Sequence, residues 1–244
     1  MKVKWTILFL LFALISCNKE FENKCFEKQG EIITEQRILE NFTSIHIESV
    51  FDIYLIQDTG CFVEVQSYEN LMPYIETVVE KGNLHLYDNV NCKWSREFGR
   101  TKLNIHFRNL QFLKPIETCF IKSVDTIFSN NFDVYIRTEI ADVELTLRSN
   151  RISFITSNTS SGNYYIKGIC DFFNLRTFNG SVIYADSLEA YDAKVHHNSI
   201  GNAYLNVDHN IEVEILNKGN LILSDSVDSI NYISQTGKGS VIIK

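Results

Sequence analysis

The sequence predicts an all-β fold, a parallel β-solenoid (β-helix) of short strands, and three observations carry that expectation. Five glycines toward the C-terminal end, Gly162, Gly180, Gly201, Gly219 and Gly239, open one recurring phrase: GNYYI, GSVIY, GNAYL, GNLIL and GSVII. They are nearly evenly spaced, and a turn residue followed by a β-prone run at a fixed period of roughly 20 residues marks one repeat per coil. Upstream, from Ile45 onward, apolar residues alternate with period two, as in strands with one buried face. Only two prolines occur, Pro73 and Pro115, and no Pro-, Gly- or Ser-rich linker divides the chain. Residues 31–244 therefore read as a single elongated domain.

The elements follow in order. Ile45 and Ile47 face one side against His46 and Glu48; Phe51, Ile53 and Leu55 follow, then Val63 and Val65, Leu84 and Leu86, and Leu103, Ile105 and Phe107. Near residues 70–79 the pattern changes. Asn70 can cap, Pro73 suits a first turn, and Leu71, Ile75, Val78 and Val79 return at helical spacing, which predicts one short helix. In the repeats, the residues two past each glycine (Tyr164, Val182, Ala203, Leu221, Val241) and four past (Ile166, Tyr184, Leu205, Leu223, Ile243) are expected to point inward and stack. One past each glycine runs a polar row, Asn163, Ser181, Asn202, Asn220 and Ser240, able to hydrogen-bond from coil to coil. An antiparallel sandwich would also give short strands at this spacing, but sandwich strands have no reason to restate one Gly-Asn/Ser phrase.

The N-terminus carries an address. Lys2 and Lys4 precede an uncharged run from Trp5 to Ile15, then Ser16-Cys17, the layout of a secretory signal peptide. A membrane span needs roughly 18 or more apolar residues, so this run is too short to be one. Leu14-Ile15-Ser16-Cys17 resembles a bacterial lipobox, in which the cysteine is acylated and becomes the first mature residue. Residues 1–16 then form the signal peptide and 17–30 a lipid-anchored tether, with Cys17 as lipidation site and the membrane as partner through its lipid. Asn18-Lys19-Glu20-Phe21-Glu22 resembles the surface-export signal of Bacteroidetes lipoproteins. The expected location is the outer membrane, facing out, with a periplasm-facing lipoprotein as the alternative.

The chain holds 23 basic and 30 acidic residues. Loss of residues 1–16 removes two lysines and no acid, leaving a mature net charge of −9. An acidic surface without a basic cluster argues against nucleic-acid partners. Of six cysteines, one is assigned to lipid, and the remaining five cannot all pair. No CxxC occurs. Cys61, Cys119 and Cys170 lie in apolar strand-like surroundings, where a buried inert thiol is usual; Cys25 and Cys92 lie in polar segments and are the expected disulfide pair.

With the lipobox-like start and the Gly-Asn/Ser coils in hand, several further stretches point one way. These are Asn41-Phe42-Thr43-Ser44-Ile45 with Phe51-Asp52-Ile53, Asn70-Leu71-Met72-Pro73-Tyr74-Ile75-Glu76, Asn91-Cys92-Lys93-Trp94-Ser95-Arg96 and Leu103-Asn104-Ile105. In their order the chain resembles the putative auto-transporter adhesin head GIN domain family over roughly residues 25–243. The resemblance implies a right-handed parallel β-solenoid and an adhesin role, and it brings no catalytic residues. Cys25 and Cys92 both lie in stretches that match it. Family members often show Gly-Ser-Gly or Gly-Asp turns; here single glycines with Asn or Ser serve.

Nothing in the sequence assembles a catalytic constellation. His196 and His197 are adjacent and would face opposite ways on a strand, and neither HxH nor HExxH occurs. His197 and His209 on neighbouring coils could offer a metal site but read better as plain surface histidines, so no metal or cofactor is expected. Gly237-Lys238-Gly239-Ser240 lacks the upstream glycine of a phosphate loop and reads as the last coil turn. Asp186, Asp192, Asp208 and Asp225 fall at differing places in their coils, as turn acids do. Asp-Ser/Thr triplets beginning at Asp125, Asp186, Asp225 and Asp228 resemble a Bacteroidetes O-glycosylation pattern. Tyr165 and Tyr204, three past their glycines, are the expected ligand contacts. The reading is a non-enzymatic cell-envelope module that binds a glycan or protein. An envelope-stress or structural accessory and a polysaccharide-active β-helix enzyme are the alternatives.

Overall fold

The computed structural model describes residues 30–90, 99–224 and 227–244. The chain is a β-solenoid of about 6 turns. The first strands are β1 (Ile32–Ile38), β2 (Ser44–Ile47), β3 (Phe51–Gln57), β4 (Phe62–Tyr68), β5 (Ile75–Glu80) and β6 (Asn83–Asp88). They are followed by β7 (Thr101–Phe107), β8 (Phe112–Pro115), β9 (Cys119–Ser123), β10 (Ile127–Ile136) and β11 (Ala141–Thr156). The C-terminal coils comprise β12 (Asn163–Asn179), β13 (Val182–Ser199), β14 (Ala203–Ile215), β15 (Leu221–Leu223), β16 (Ser229–Gln235) and β17 (Val241–Ile243).

Parallel pairing runs from coil to coil. β3 pairs with β9, β9 with β11, and β11, β12, β13 and β14 pair in sequence before β15 and β17 complete that face. A second face runs from β2 through β8 and β10 to the C-terminal halves of the same long strands and β16. The exceptions sit at the N-terminal end, where β1 and β7 both pair antiparallel with β4 and β5 pairs antiparallel with β6. These satisfy strand edges that would otherwise lie open.

The alternation places apolar files inside both faces. Ile53, Ile121, Val143, Tyr164, Ile183, Ala203 and Leu221 stand in direct register and are all buried. Ile45, Leu113, Val134, Phe154, Leu175, Val195 and Val213 make the equivalent file on the second face. Each such aliphatic side chain contributes about 1.5–3 kcal/mol on burial. All the inward positions expected between Ile45 and Phe107 are buried.

Two expectations are corrected. The short helix near residues 70–79 is a single 3-10 turn, Met72–Tyr74, after which the chain extends as β5. Thr77, Val78 and Val79 are β-branched, and the next turn holds Lys81 at φ 51° and Gly82 at φ 79°. Two central residues of positive φ make the hairpin turn whose twist suits antiparallel strands, so β5 folds onto β6 rather than coiling. The second correction concerns the GSVIY repeat. Tyr164 pairs with Ile183, and Ile183 with Ala203, so Ile183 and Ala185 point in while Val182 and Tyr184 are half-exposed. Ser181, not Gly180, holds the place that Gly162 and Gly201 hold in adjacent coils. In the last coil Val241 is partly buried and Ile243 is exposed.

The glycine column has a steric cause. A β-carbon at Gly162, Gly201, Gly219 or Gly239 would lie 2.2, 2.4, 2.0 or 1.9 Å from a carbonyl oxygen of the preceding coil. At Gly180 it would instead meet the Ser161 hydroxyl, at 2.7 Å. The buried Ser181 hydroxyl donates to the Ser160 carbonyl at 3.1 Å. The polar row next to the column forms as expected in its C-terminal part. The Asn202 side-chain oxygen accepts from the Asn220 N–H at 2.9 Å, and that of Asn220 from the Ser240 N–H at 3.0 Å.

Candidate functional site

Tyr165, Tyr184 and Tyr204 occupy one register position in β12, β13 and β14 and form a stacked ladder on the outer face. Ring centroids are 4.7 Å apart between Tyr165 and Tyr184, with planes at 7°, and 5.3 Å apart between Tyr184 and Tyr204, at 4°. The spacing is that of neighbouring parallel strands, about 4.7–4.9 Å. Each inner ring face is taken by the next ring, so solvent meets a strip of edges and hydroxyls. The two tyrosines that the sequence singles out are thus brought together, and the residue that joins them is one the glycine alignment turns inward. The tyrosines themselves recur more evenly along the chain than the glycines do, and that regularity is the sequence signal for the middle one.

The same row continues in both directions. Toward the N-terminus, Glu144 precedes Tyr165 and pairs with Lys122 at 2.7 Å, and Lys122 aligns with Tyr54, over whose ring the Lys102 ammonium sits at 4.5 Å. Beyond Tyr204 come Ile222 and the exposed Ile242, with the Lys244 ammonium 5.3 Å from the Tyr204 centroid. The Asn202 and Asn220 amides line the adjacent row. The face is therefore aromatic and amide-rich, with charge at its margins, a composition suited to hydrogen-bonded contact with a macromolecule.

Other polar features are distributed elsewhere. A groove of about 410 Å³ lies on a different face, lined by Tyr135, Arg137, Arg176, Phe178 and the 157–159 turn. Four histidines pair with acids: His85 with Glu48 at 2.7 Å, His106 with Asp58 at 2.6 Å, His196 with Glu214 at 2.5 Å and His209 with Asp192 at 2.9 Å. The carboxyls of Glu48, Asp58 and Glu214 are held below the ordinary range. For Glu48 burial pulls upward, but hydrogen bonds from His85 and Tyr87 outweigh it; for Asp58 the Gly60 N–H and for Glu214 the His196 ring come first. His46, near His85, is held low by burial and by the charges of His85 and Lys114.

His197 points inward and is fully buried, its Nδ1 2.7 Å from the Thr177 hydroxyl oxygen, whereas His209 is outside against Asp192. The two share no site. Asp186 and Asp208 are exposed and Asp192 half-exposed on the surface. Burial pushes the Cys119 and Cys170 thiols up to about 12, which makes them inert, while Cys61 is half-exposed and donates to Asn41 Oδ1 at 3.3 Å. Cys17, Cys25, Cys92 and Asp225 lie outside the described residues.

Crystal structures of similar shape are known. A putative adhesin from Bacteroides fragilis superposes with a TM-score of 0.77 at 18% identity, over 88% of this chain and 97% of that one. A putative adhesin from Parabacteroides distasonis gives 0.62 at 18% identity, over 88% and 98%. A putative lipid binding protein from the same species gives 0.60 at 18% identity, over 88% and 97%. At such identity the likeness is one of fold. No curated protein matches the chain. Residues 41–226 match the sequence model of one family, and the chain belongs to it: "Putative auto-transporter adhesin, head GIN domain".

Proposed function

We propose that the protein is a non-enzymatic, adhesin-like binding module of the cell envelope that meets its ligand through the Tyr165–Tyr184–Tyr204 face. The stacked ladder is the observation that carries this reading. Three rings held parallel by the strands lose little conformational entropy on binding, and their hydroxyls repeat at strand spacing along a rigid face. Because the ring faces are turned on one another, contact by edges and hydroxyls to a protein or glycan fits better than sugar stacking on an open ring. Membership of a family described as adhesins supports the same reading. Cys17 is proposed as the lipid-bearing mature N-terminus that tethers the module at the outer membrane, facing outward.

Two measurements test this. The full chain is screened on glycan and extracellular-matrix arrays with product release followed in parallel. Binding without turnover supports the module, turnover replaces it with a polysaccharide-active enzyme, and silence on both favours a structural accessory of the envelope. Processing is followed with globomycin and with Cys17→Ala; unchanged processing and a soluble mature product would remove the lipid anchor.

A further inference from the structure

Three metal-ligating side chains converge on the outer surface of the first coils, off the tyrosine row. His46 lies in β2 and pairs directly with His85 in β6. Glu48 follows two residues after His46, and its N–H donates to the Leu86 carbonyl at 3.1 Å. Residues two apart on extended backbone share a face, so the register sets His85 beside both. The two imidazole centroids are 4.8 Å apart at 53°, and His85 Nδ1 is 2.7 Å from Glu48 Oε1. One ligand atom from each of the three lies within 4.8 Å of the others, and all three residues are half-buried. Among the described residues no other trio of His, Cys, Asp or Glu is so converged.

We propose that His46, Glu48 and His85 form a three-ligand site for a late first-row divalent metal ion, of which zinc is the probe. Two imidazole nitrogens and one carboxylate suit this class of ion, whereas calcium and magnesium require oxygen ligands. Tetrahedral zinc with bonds of about 2.0–2.1 Å sets its ligand atoms about 3.3 Å apart. His85 Nδ1 and Glu48 Oε1, at 2.7 Å, stand closer than that and part slightly to admit the ion, and His46 closes the remaining gap by side-chain rotation. The ion takes the place of the proton shared between His85 Nδ1 and Glu48, and the imidazole then carries its proton on Nε2. The Tyr87 hydroxyl, 3.4 Å from His85 Nδ1, stands just outside the ligands. Such an ion ties β2 to β6 and leaves a coordination position open to water or to an external donor. Lys114, next to His46 on its other side in the ladder, opposes it with like charge.

Zinc titration of the full chain by calorimetry, with cobalt absorption as a second readout, tests the site. His85→Ala and Glu48→Gln are each expected to weaken binding about tenfold or more, since even outer-shell partners of metal ligands are worth 10–100-fold. Lys114→Gln is expected to tighten it, and His196→Ala, which breaks a pair lacking a third ligand, to leave it unchanged. Circular dichroism follows the folding of each variant. Absence of zinc binding by the folded wild-type chain, or full binding in both His85→Ala and Glu48→Gln, overturns the proposal. Should those two variants unfold, Lys114→Gln decides, because an unaltered affinity there also overturns it.

Discussion

The α-carbon of Gly219 packs against the carbonyl oxygen of Gly201, so closely that a β-carbon would lie 2.0 Å away. The obstacle is backbone held in a parallel ladder, which cannot yield as a side-chain tip can. Gly219→Ala is therefore expected to destabilise the chain by about 1–3 kcal/mol, the usual cost of overpacking. Gly99→Ala, where a β-carbon meets nothing within 4 Å, is the control. Urea unfolding of the two variants gives the comparison, and equal midpoints would contradict a steric role for the column.

Leu221 is fully buried and pairs directly with Ala203, while its neighbour Asn220 faces outward and accepts from the Ser240 N–H. Leu221→Asp would strand a carboxylate in the apolar file and is expected to unfold the C-terminal coils. Asn220→Ala loses a single hydrogen bond and should cost about 1 kcal/mol. Hydrogen exchange resolved along the chain distinguishes them: protection around β14 to β17 should vanish in the first variant and persist in the second.

Much of this is legible in the sequence because a parallel coil repeats its constraints. At four positions of the column the preceding coil leaves no room for a β-carbon, so Gly162, Gly201, Gly219 and Gly239 announce the period. Where a coil leaves room for a side chain, the signal slips. Ser181 takes the column position and Gly180 precedes it, so counting from Gly180 turns Tyr184 inward and hides the middle rung of the ladder. Between Leu71 and Val79 the apolar spacing imitates a helix, and only the positive φ at Lys81 and Gly82 reveals a hairpin. The pairing of His46 with His85 joins strands well separated in the chain and depends on a register that no local pattern encodes. His46 and Glu48 alone are visible as neighbours on one strand face.

Stability should fall on acidification. Burial pushes His197 down from 6.5 to about 4, with the backbone of Gly201 and Gly219 partly offsetting it. Below pH 6.5 the unfolded chain takes up a proton that the folded chain refuses until about pH 4. The stability given by the neutral ring is complete above the unfolded value and is lost across that window, at up to about 1.4 kcal/mol per pH unit. The lowered carboxyls of Glu48, Asp58 and Glu214 act in the same direction at the acid end, since they lose their favourable charged form as the pH falls. Urea midpoints at pH 7 and pH 5 should differ in the wild type and differ less in His197→Gln. An equal difference in both would assign the acid sensitivity to other groups.

Cys25 and Cys92 are proposed to form a disulfide. It would close a loop of about 67 residues and stabilise the fold by about 2–4 kcal/mol, joining the tether to the first coils. Peptide mapping under non-reducing conditions is expected to recover the linked pair, and two free thiols would end the idea.

The tyrosine face gives the most direct test of function. Tyr184 is the middle rung, so its removal leaves Tyr165 and Tyr204 without a shared neighbour and opens a gap in the row of hydroxyls. Aromatic contacts of this kind are worth about 0.5–1.5 kcal/mol beyond burial, so Tyr184→Ala should lower stability modestly while the coils persist. A central tyrosine at an interface commonly costs about 2 kcal/mol or more when truncated, which corresponds to about 30-fold in affinity. Tyr191 supplies the control: it is 53% exposed and stacks on His209 at 4.8 Å, outside the ladder. Against whichever array ligand binds the wild-type chain, Tyr184→Ala should dissociate faster and Tyr191→Ala should match wild type. If both variants weaken binding alike, or neither does, the contact lies elsewhere on the solenoid.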